Sequence, residues 1–186
     1  MKALLAAALL ATAPQQPSVV PPFPTLKWGM KMSEAKLPSE YEPVKGQSPF
    51  ILNWTGNLVH DDVLIMVGFT PKTKKLWKVA IIAGDKAAYH RAKSNFETYE
   101  GLLTRKYGPP TDTYDFFKAP YEEGDGYEDT ALSTGNYQKS SFWFNLPEGL
   151  MSIQLTKEGW VTMNYESRVY GELNTKEVEA IKSDSL

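Results

Sequence analysis

Phe142-Trp143-Phe144-Asn145-Leu146, Met151-Ser152-Ile153-Gln154-Leu155-Thr156 and Val161-Thr162-Met163-Asn164-Tyr165-Glu166 follow one another near the end of the chain. In each, apolar residues recur at every second position. Side chains alternate between the two faces of a β-strand, so this period means three strands with one face buried and one face wet. The joints Pro147-Glu148-Gly149 and Glu158-Gly159 are too short for a crossover, so the pairing is antiparallel. Phe142 and Phe144 set the phase of the first strand. Trp143 alternates out of phase with them, which places it on the open face. The long segment Thr111 to Lys139 is the expected cover for that face.

Upstream lies the clearest helix. Tyr89, Ala92, Phe96, Tyr99, Leu103 and Tyr107 recur in steps of three and four, one stripe of an amphipathic helix. Asp85 is the expected N-cap. Gly108 suits a left-handed cap and Pro109-Pro110 forbids continuation. Before it come three more strand signals: Phe50 to Trp54, the β-branched run Val63 to Phe69, and Leu76 to Ile82. Ser33-Glu34-Ala35-Lys36 reads as a short helix capped by Ser33 and stopped by Pro38. Thr175 to Lys182 reads as a terminal helix entered through Asn174. The order helix, three strands, helix, three strands, helix predicts an α+β fold. Two α-β-β-β units form one antiparallel sheet with helices on one face.

The N-terminus carries a charged Lys2, the Ala/Leu run Ala3 to Ala11, and Ala11-Thr12-Ala13 as a small-residue exit. These are the parts of a secretory signal, so residues 1–13 are expected to be a signal peptide and the protein exported to periplasm, cell surface or medium. The apolar run is too short to span a bilayer as a helix. Pro14, Pro17, Pro21, Pro22 and Pro24 make residues 14–25 an expected extended linker, with a single α+β domain over 26–186.

The chain of 186 residues is 42% hydrophobic and 23% charged, enough apolar material for a core without staples. It has no cysteine, which excludes disulfides, thiolate nucleophiles and Cys-ligated zinc. The formal net charge of −2 argues against a nucleic-acid partner. Lys72, Lys74, Lys75 and Lys78 read as a solvated turn.

Behind that N-terminus, the element order resembles the β-lactamase-inhibitor-protein-like fold. Phe23-Pro24-Thr25-Leu26-Lys27-Trp28-Gly29-Met30 followed by Glu34-Ala35 is similar to the opening of small exported bacterial proteins of unknown function. Lys106-Tyr107-Gly108-Pro109-Pro110, Gly124-Asp125-Gly126-Tyr127-Glu128 and Val161 to Tyr165 fit the same group. The resemblance implies the two-unit fold. It brings no activity with it, because function belongs to sites and not to folds.

Candidate chemistry is sparse. His60 and His90 have no metal-ligand partner at i+2, i+3 or i+4, and each reads as exposed. Ser33-Glu34-Ala35-Lys36 matches the S-x-x-K pattern of serine acyl-enzymes. The supporting elements are missing, and so short a pattern arises by chance. The loop 121–129 is acidic: Glu122, Glu123, Asp125, Glu128 and Asp129 offer hard oxygen ligands, and Gly124 and Gly126 let the backbone curl. Its ligand alternation is not that of an EF-hand. Tyr121 and Tyr127 flank the acids and suit a partner-binding loop.

The sequence therefore reads as an exported, non-enzymatic binding or interaction protein. Its expected contact residues are Trp143, Tyr121 and Tyr127. Two alternatives stand: a calcium-type metal-dependent hydrolase using the acidic loop, and a structural envelope component. The expected partner is another envelope or secreted protein, or a glycan, and no cofactor is expected.

Overall fold

The computed structural model describes residues 18–45 and 48–184. Eight strands form one antiparallel sheet: β1 (Glu42–Pro43), β2 (Ile51–Leu58), β3 (Asp61–Phe69), β4 (Leu76–Ala83), β5 (Asp112–Phe117), β6 (Tyr137–Trp143), β7 (Gly149–Leu155) and β8 (Val161–Ser167). Their spatial order is β1-β2-β3-β4-β8-β7-β6-β5. The last strand of each half meets at the centre, where Val79, Ile81 and Ala83 pair with Tyr165, Met163 and Val161. A 3-10 turn (Met32–Glu34) and the helices α1 (Tyr89–Tyr107), α2 (Glu128–Ser133) and α3 (Arg168–Ser183) complete an α+β fold, with α1 and α2 forming the helix layer on one side.

The units have four strands each, not three. β1 is only two residues long. β5 comes from the stretch expected to be irregular, and its exposed residues carry no in–out alternation that would mark a strand. The expected helix at Ser33 is the 3-10 turn, with Lys31 in the cap position. α3 begins at Arg168 and not near Thr175, because Ser167 ends β8 and its hydroxyl accepts the Tyr170 N–H at 3.3 Å.

The core lies between the sheet and α1. Val63, Ile65 and Val67 of β3, Met151 and Ile153 of β7, and Met163 of β8 all point to this face, under Phe96, Tyr99, Leu103 and Tyr107 of α1. All six residues of the expected helical stripe are buried. Burying side chains of this size contributes about 1.5–3 kcal/mol each. Ala88 occupies the cap position of α1, not Asp85, and makes no side-chain bond there. The cap comes from far along the chain: the Asp129 carboxylate accepts the Tyr89 N–H at 2.6 Å. Gly108 ends the helix at φ 83°, a backbone region that glycine enters at no steric cost.

Trp143 corrects the expected phase. It pairs with Met151, so it shares the face of Met151 and Ile153, and it is 1% exposed. Its indole N–H donates to the Gly108 carbonyl at 2.9 Å, one of the carbonyls left over at the end of α1. Phe142 and Phe144 take the other face. The alternation was legible and its sign was not, because two phenylalanines against one tryptophan weigh apolar content without saying where the helix lies.

The expected signal peptide lies outside the described residues. Of the expected linker, residues 14–17 also lie outside the described residues, and Val19 and Phe23 are packed against the domain. Val19 is fully buried, its N–H donates to the Pro147 carbonyl at 3.0 Å, and its own carbonyl accepts the Trp28 indole N–H at 2.7 Å. Phe23 packs edge-on against Tyr41 at 5.2 Å between centroids. The segment is not extended throughout: residues 22–25 bend into a turn closed by the Leu26 N–H on the Phe23 carbonyl at 3.0 Å, which lets the apolar residues between the prolines reach the core.

The β2–β3 hairpin turns through Val59 at φ 62°. A β-branched residue is rare there and costs about 1–2 kcal/mol. Tyr99 holds the tip, its hydroxyl reaching the Leu58 carbonyl at 3.2 Å and Asp61 Oδ2 at 2.8 Å. Val59 is 52% exposed, so little packing is lost on replacement. Val59→Asn is expected to raise stability by about 1 kcal/mol, read as a rise of roughly 2–4 °C in the melting temperature.

Candidate functional site on the open face

The second face of the sheet carries Leu64, Met66 and Gly68 of β3, Lys78, Ala80 and Ile82 of β4, Thr162 and Asn164 of β8, Ser152 of β7 and Phe142 of β6. The segment Thr111 to Lys139 does not cover it. β5 joins the sheet edge, and α2 sets Ala131 and Leu132 against Tyr89, Ala92 and Tyr137 on the side of α1.

One end of this face is a groove of about 740 Å³. Met66, Gly68, Ala80 and Ile82 make its floor, with Phe50 and Ile51 on one flank and Val178 and Ile181 of α3 on the other. Trp77 enters it because of a register shift beside Gly68: Gly68 pairs with Lys78 and Phe69 with Leu76, so Trp77 has no partner residue across the ladder. Such a bulge re-aims a side chain. Phe50 and Ile181 remain 37% and 39% exposed. The signal for this groove was present in the sequence. β4 is apolar at both parities, with Ala80 and Ile82 beside Val79 and Ile81, more than a strand with one wet face requires.

The α3 wall is fixed by Glu177. Its buried carboxylate accepts the Lys72 N–H at 2.6 Å, the Thr73 N–H at 3.0 Å and the Thr73 hydroxyl at 2.5 Å, tying the helix to the β3–β4 turn. Burial alone would raise its pKa. The hydrogen bonds from Thr73 and Lys72 outweigh that and hold the carboxyl below its ordinary range. Glu177→Ala leaves two turn N–H groups without this acceptor. It is expected to cost about 1–3 kcal/mol, with α3 amides losing protection in hydrogen exchange before those of β4.

A second recess of about 690 Å³ adjoins the groove and shares Ile82 with it. Glu40, Glu42, Asp62 and Asp85 line it together with Lys86 and Trp160. Toward the other edge, Tyr114, Phe142 and Phe144 form an exposed aromatic group beside Gln138 and Gln154, with the two phenylalanines stacked at 5.3 Å.

The residues singled out from the sequence lie elsewhere. Trp143 is in the core. The acidic loop lies near the start of α1, and Glu123, Asp125, Glu128 and Asp129 each have a partner for their carboxylate. Asp125 accepts the N–H groups of Glu122 and Tyr127, Glu128 accepts that of Gly124, and Asp129 caps α1. Glu123 pairs with Lys93 at 2.9 Å. These bonds fold the loop on itself. Among the described residues, no three His, Cys, Asp or Glu side chains converge as a metal site would need. Tyr121 packs beside the small cluster under α2, whereas Tyr127 is 63% exposed. His60, His90, Ser33 and Lys36 are all exposed.

No helix of the described residues is long and apolar enough to cross a membrane. In comparisons with known protein families, curated proteins and solved structures, the chain matches none of them. The class of the molecule is thus set by its own architecture: an α+β protein with one open sheet face and an apolar groove at its end.

Proposed function

We propose that the chain is an exported binding protein whose contact surface is the open face of the sheet, centred on the groove beside α3, and whose partner is another envelope or secreted protein. The observation that carries this reading is the groove itself. Phe50, Met66, Trp77, Ile82, Val178 and Ile181 surround a recess that none of the described residues fills. Contiguous exposed apolar surface of this kind marks interaction sites. The export part is supported by the charged start, apolar run and small-residue exit of residues 1–13, and by the likeness to small exported bacterial proteins.

A displayed random-peptide library, panned on the wild-type protein and counter-selected on Met66→Asp, tests this reading. Met66 is only half-buried, so the variant is expected to fold. The expected result is a set of binders lost by at least about ten-fold on the variant. Recovery of no binders, or of binders that the variant retains equally, overturns the reading.

A further inference from the structure

Resting on that reading, we infer that the groove takes an amphipathic helix of the partner, with a basic side chain near the helix N-terminus seated in the acidic recess. The backbone argument comes first. The middle of a sheet face offers no free N–H or C=O groups, because the ladders use them. An extended peptide laid there would bury its own backbone groups without partners. A helix satisfies them internally and presents a stripe at i, i+3, i+4 and i+7. An acyl chain is a poorer fit, since such ligands need a cavity that encloses most of their surface. Here Phe50 and Ile181 stay more than a third exposed, so the groove does not enclose a ligand.

Charge fixes the chemistry and the direction. Along β3, Asp62, Leu64, Met66 and Gly68 follow one another on the open face. Alternate residues on a strand are about 7 Å apart, so the acidic end lies about 13 Å from the groove floor at Met66. Glu42 pairs with Thr55, which pairs with Leu64, so Glu42 shares this face. Glu40, Glu42, Asp62 and Asp85 line the recess with one ammonium, Lys86, and with Trp160. The opposite end carries Lys182, close to Asp184, whose carboxylate pairs with Lys72 of the β3–β4 turn at 3.1 Å. Lys78 near that end is already paired with Glu166 at 2.7 Å. The surface is therefore apolar in the middle, negative at the Asp62 end and positive at the Lys182 end. A bound helix complements it when its N-terminus points to the acids and its C-terminus to Lys182. At 1.5 Å per residue, 13 Å places the basic residue about eight or nine positions from the central apolar anchor.

The test uses fluorescence anisotropy of the full protein with labelled helical peptides of about 16 residues carrying one leucine stripe. One peptide has two lysines at its N-terminal end, its twin has two glutamates there, and a third carries the lysines at the C-terminal end. The lysine-first peptide is expected to bind at least about ten-fold tighter than either other, with the margin shrinking at high salt. Glu40→Gln/Glu42→Gln is expected to reduce that margin, and Met66→Asp to abolish binding of all three. Equal affinity for all three overturns the charge assignment while leaving the groove reading intact. Failure of every peptide, with no binders from the displayed library, removes both. Two other occupants are read in the same experiment and would overturn the inference. One is a dimer in sedimentation that disappears with Met66→Asp, and the other is displacement of the peptide by a fatty acid but not by excess unlabelled peptide.

Discussion

Trp143→Ala is expected to lower the melting temperature by roughly 10 °C, since a buried aromatic-to-alanine change costs about 3–5 kcal/mol and each kcal/mol moves a domain of this size by about 2–4 °C. The indole is among the largest fully buried side chains, and it also holds the Gly108 carbonyl where α1 ends. Its loss leaves a cavity between β6 and the helix and one carbonyl without its donor. Phe144→Ala is the control. Phe144 is one residue along on the opposite, open face, and its loss is expected to cost less than about 1 kcal/mol. Thermal unfolding followed by circular dichroism measures both. A drop under about 3 °C for Trp143→Ala would put the indole on the open face and reverse the reading of which side is the core.

Asp115→Ala is the second large effect. Lys139 lies under α1 with only 10% of its side chain exposed, its ammonium on Asp115, 3.8 Å from Glu97 and over the Phe96 ring. Asp115 also accepts the Tyr137 hydroxyl at 2.7 Å. Removing the carboxylate leaves the Lys139 ammonium to the more distant Glu97 and takes the Asp115 acceptor from the buried Tyr137 hydroxyl. A fully buried pair broken this way costs about 3–5 kcal/mol, and the partial exposure of Asp115 reduces this to about 2 kcal/mol. Asp115→Ala/Lys139→Met is expected to recover most of the loss, because it removes the Lys139 charge and keeps the apolar stem. No recovery in the double variant would mean that packing of β5, and not the charge, carries the effect.

The same carboxylate sets an acid limit. Burial would raise the pKa of Asp115, and the bonds from Lys139 and Tyr137 overcome this and hold it below the usual range, as the turn donors do for Glu177. A depressed folded pKa contributes stability that is present above the unfolded value, near 4, and is lost as pH falls through the folded one. Stability is therefore expected to fall as pH drops below about 4, and to fall less steeply in Asp115→Asn, measured by urea unfolding at a series of pH values.

Much of this architecture was legible from periodicity. The stripe Tyr89 to Tyr107 predicted every buried residue of α1, and Gly108 with Pro109-Pro110 predicted its end, because a helix's register and its stop are local properties of the chain. Alternation placed β7 and β8 and the short joints made the pairing antiparallel, whereas the strand expected over Phe142 to Leu146 meets β6 (Tyr137–Trp143) only at Phe142 and Trp143, most of β6 lying upstream. What periodicity cannot supply is the identity of the buried face. Trp143 and its neighbours alternate correctly in either sense, and only the docking of α1 decides which parity is the core. Local capping rules failed for the same reason at Asp85, since the cap of α1 is Asp129, brought there by the packing of α2. That one contact also accounts for part of the acidic loop, where Asp125, Glu128 and Asp129 accept backbone N–H groups and Glu123 pairs with Lys93. β5 lacks alternation because an exposed edge strand has no buried side to alternate with. The groove depends on both levels. The double parity of apolar residues in β4 is written in the sequence, but the recess exists only because α3, held through Glu177, stands beside that strand without covering it.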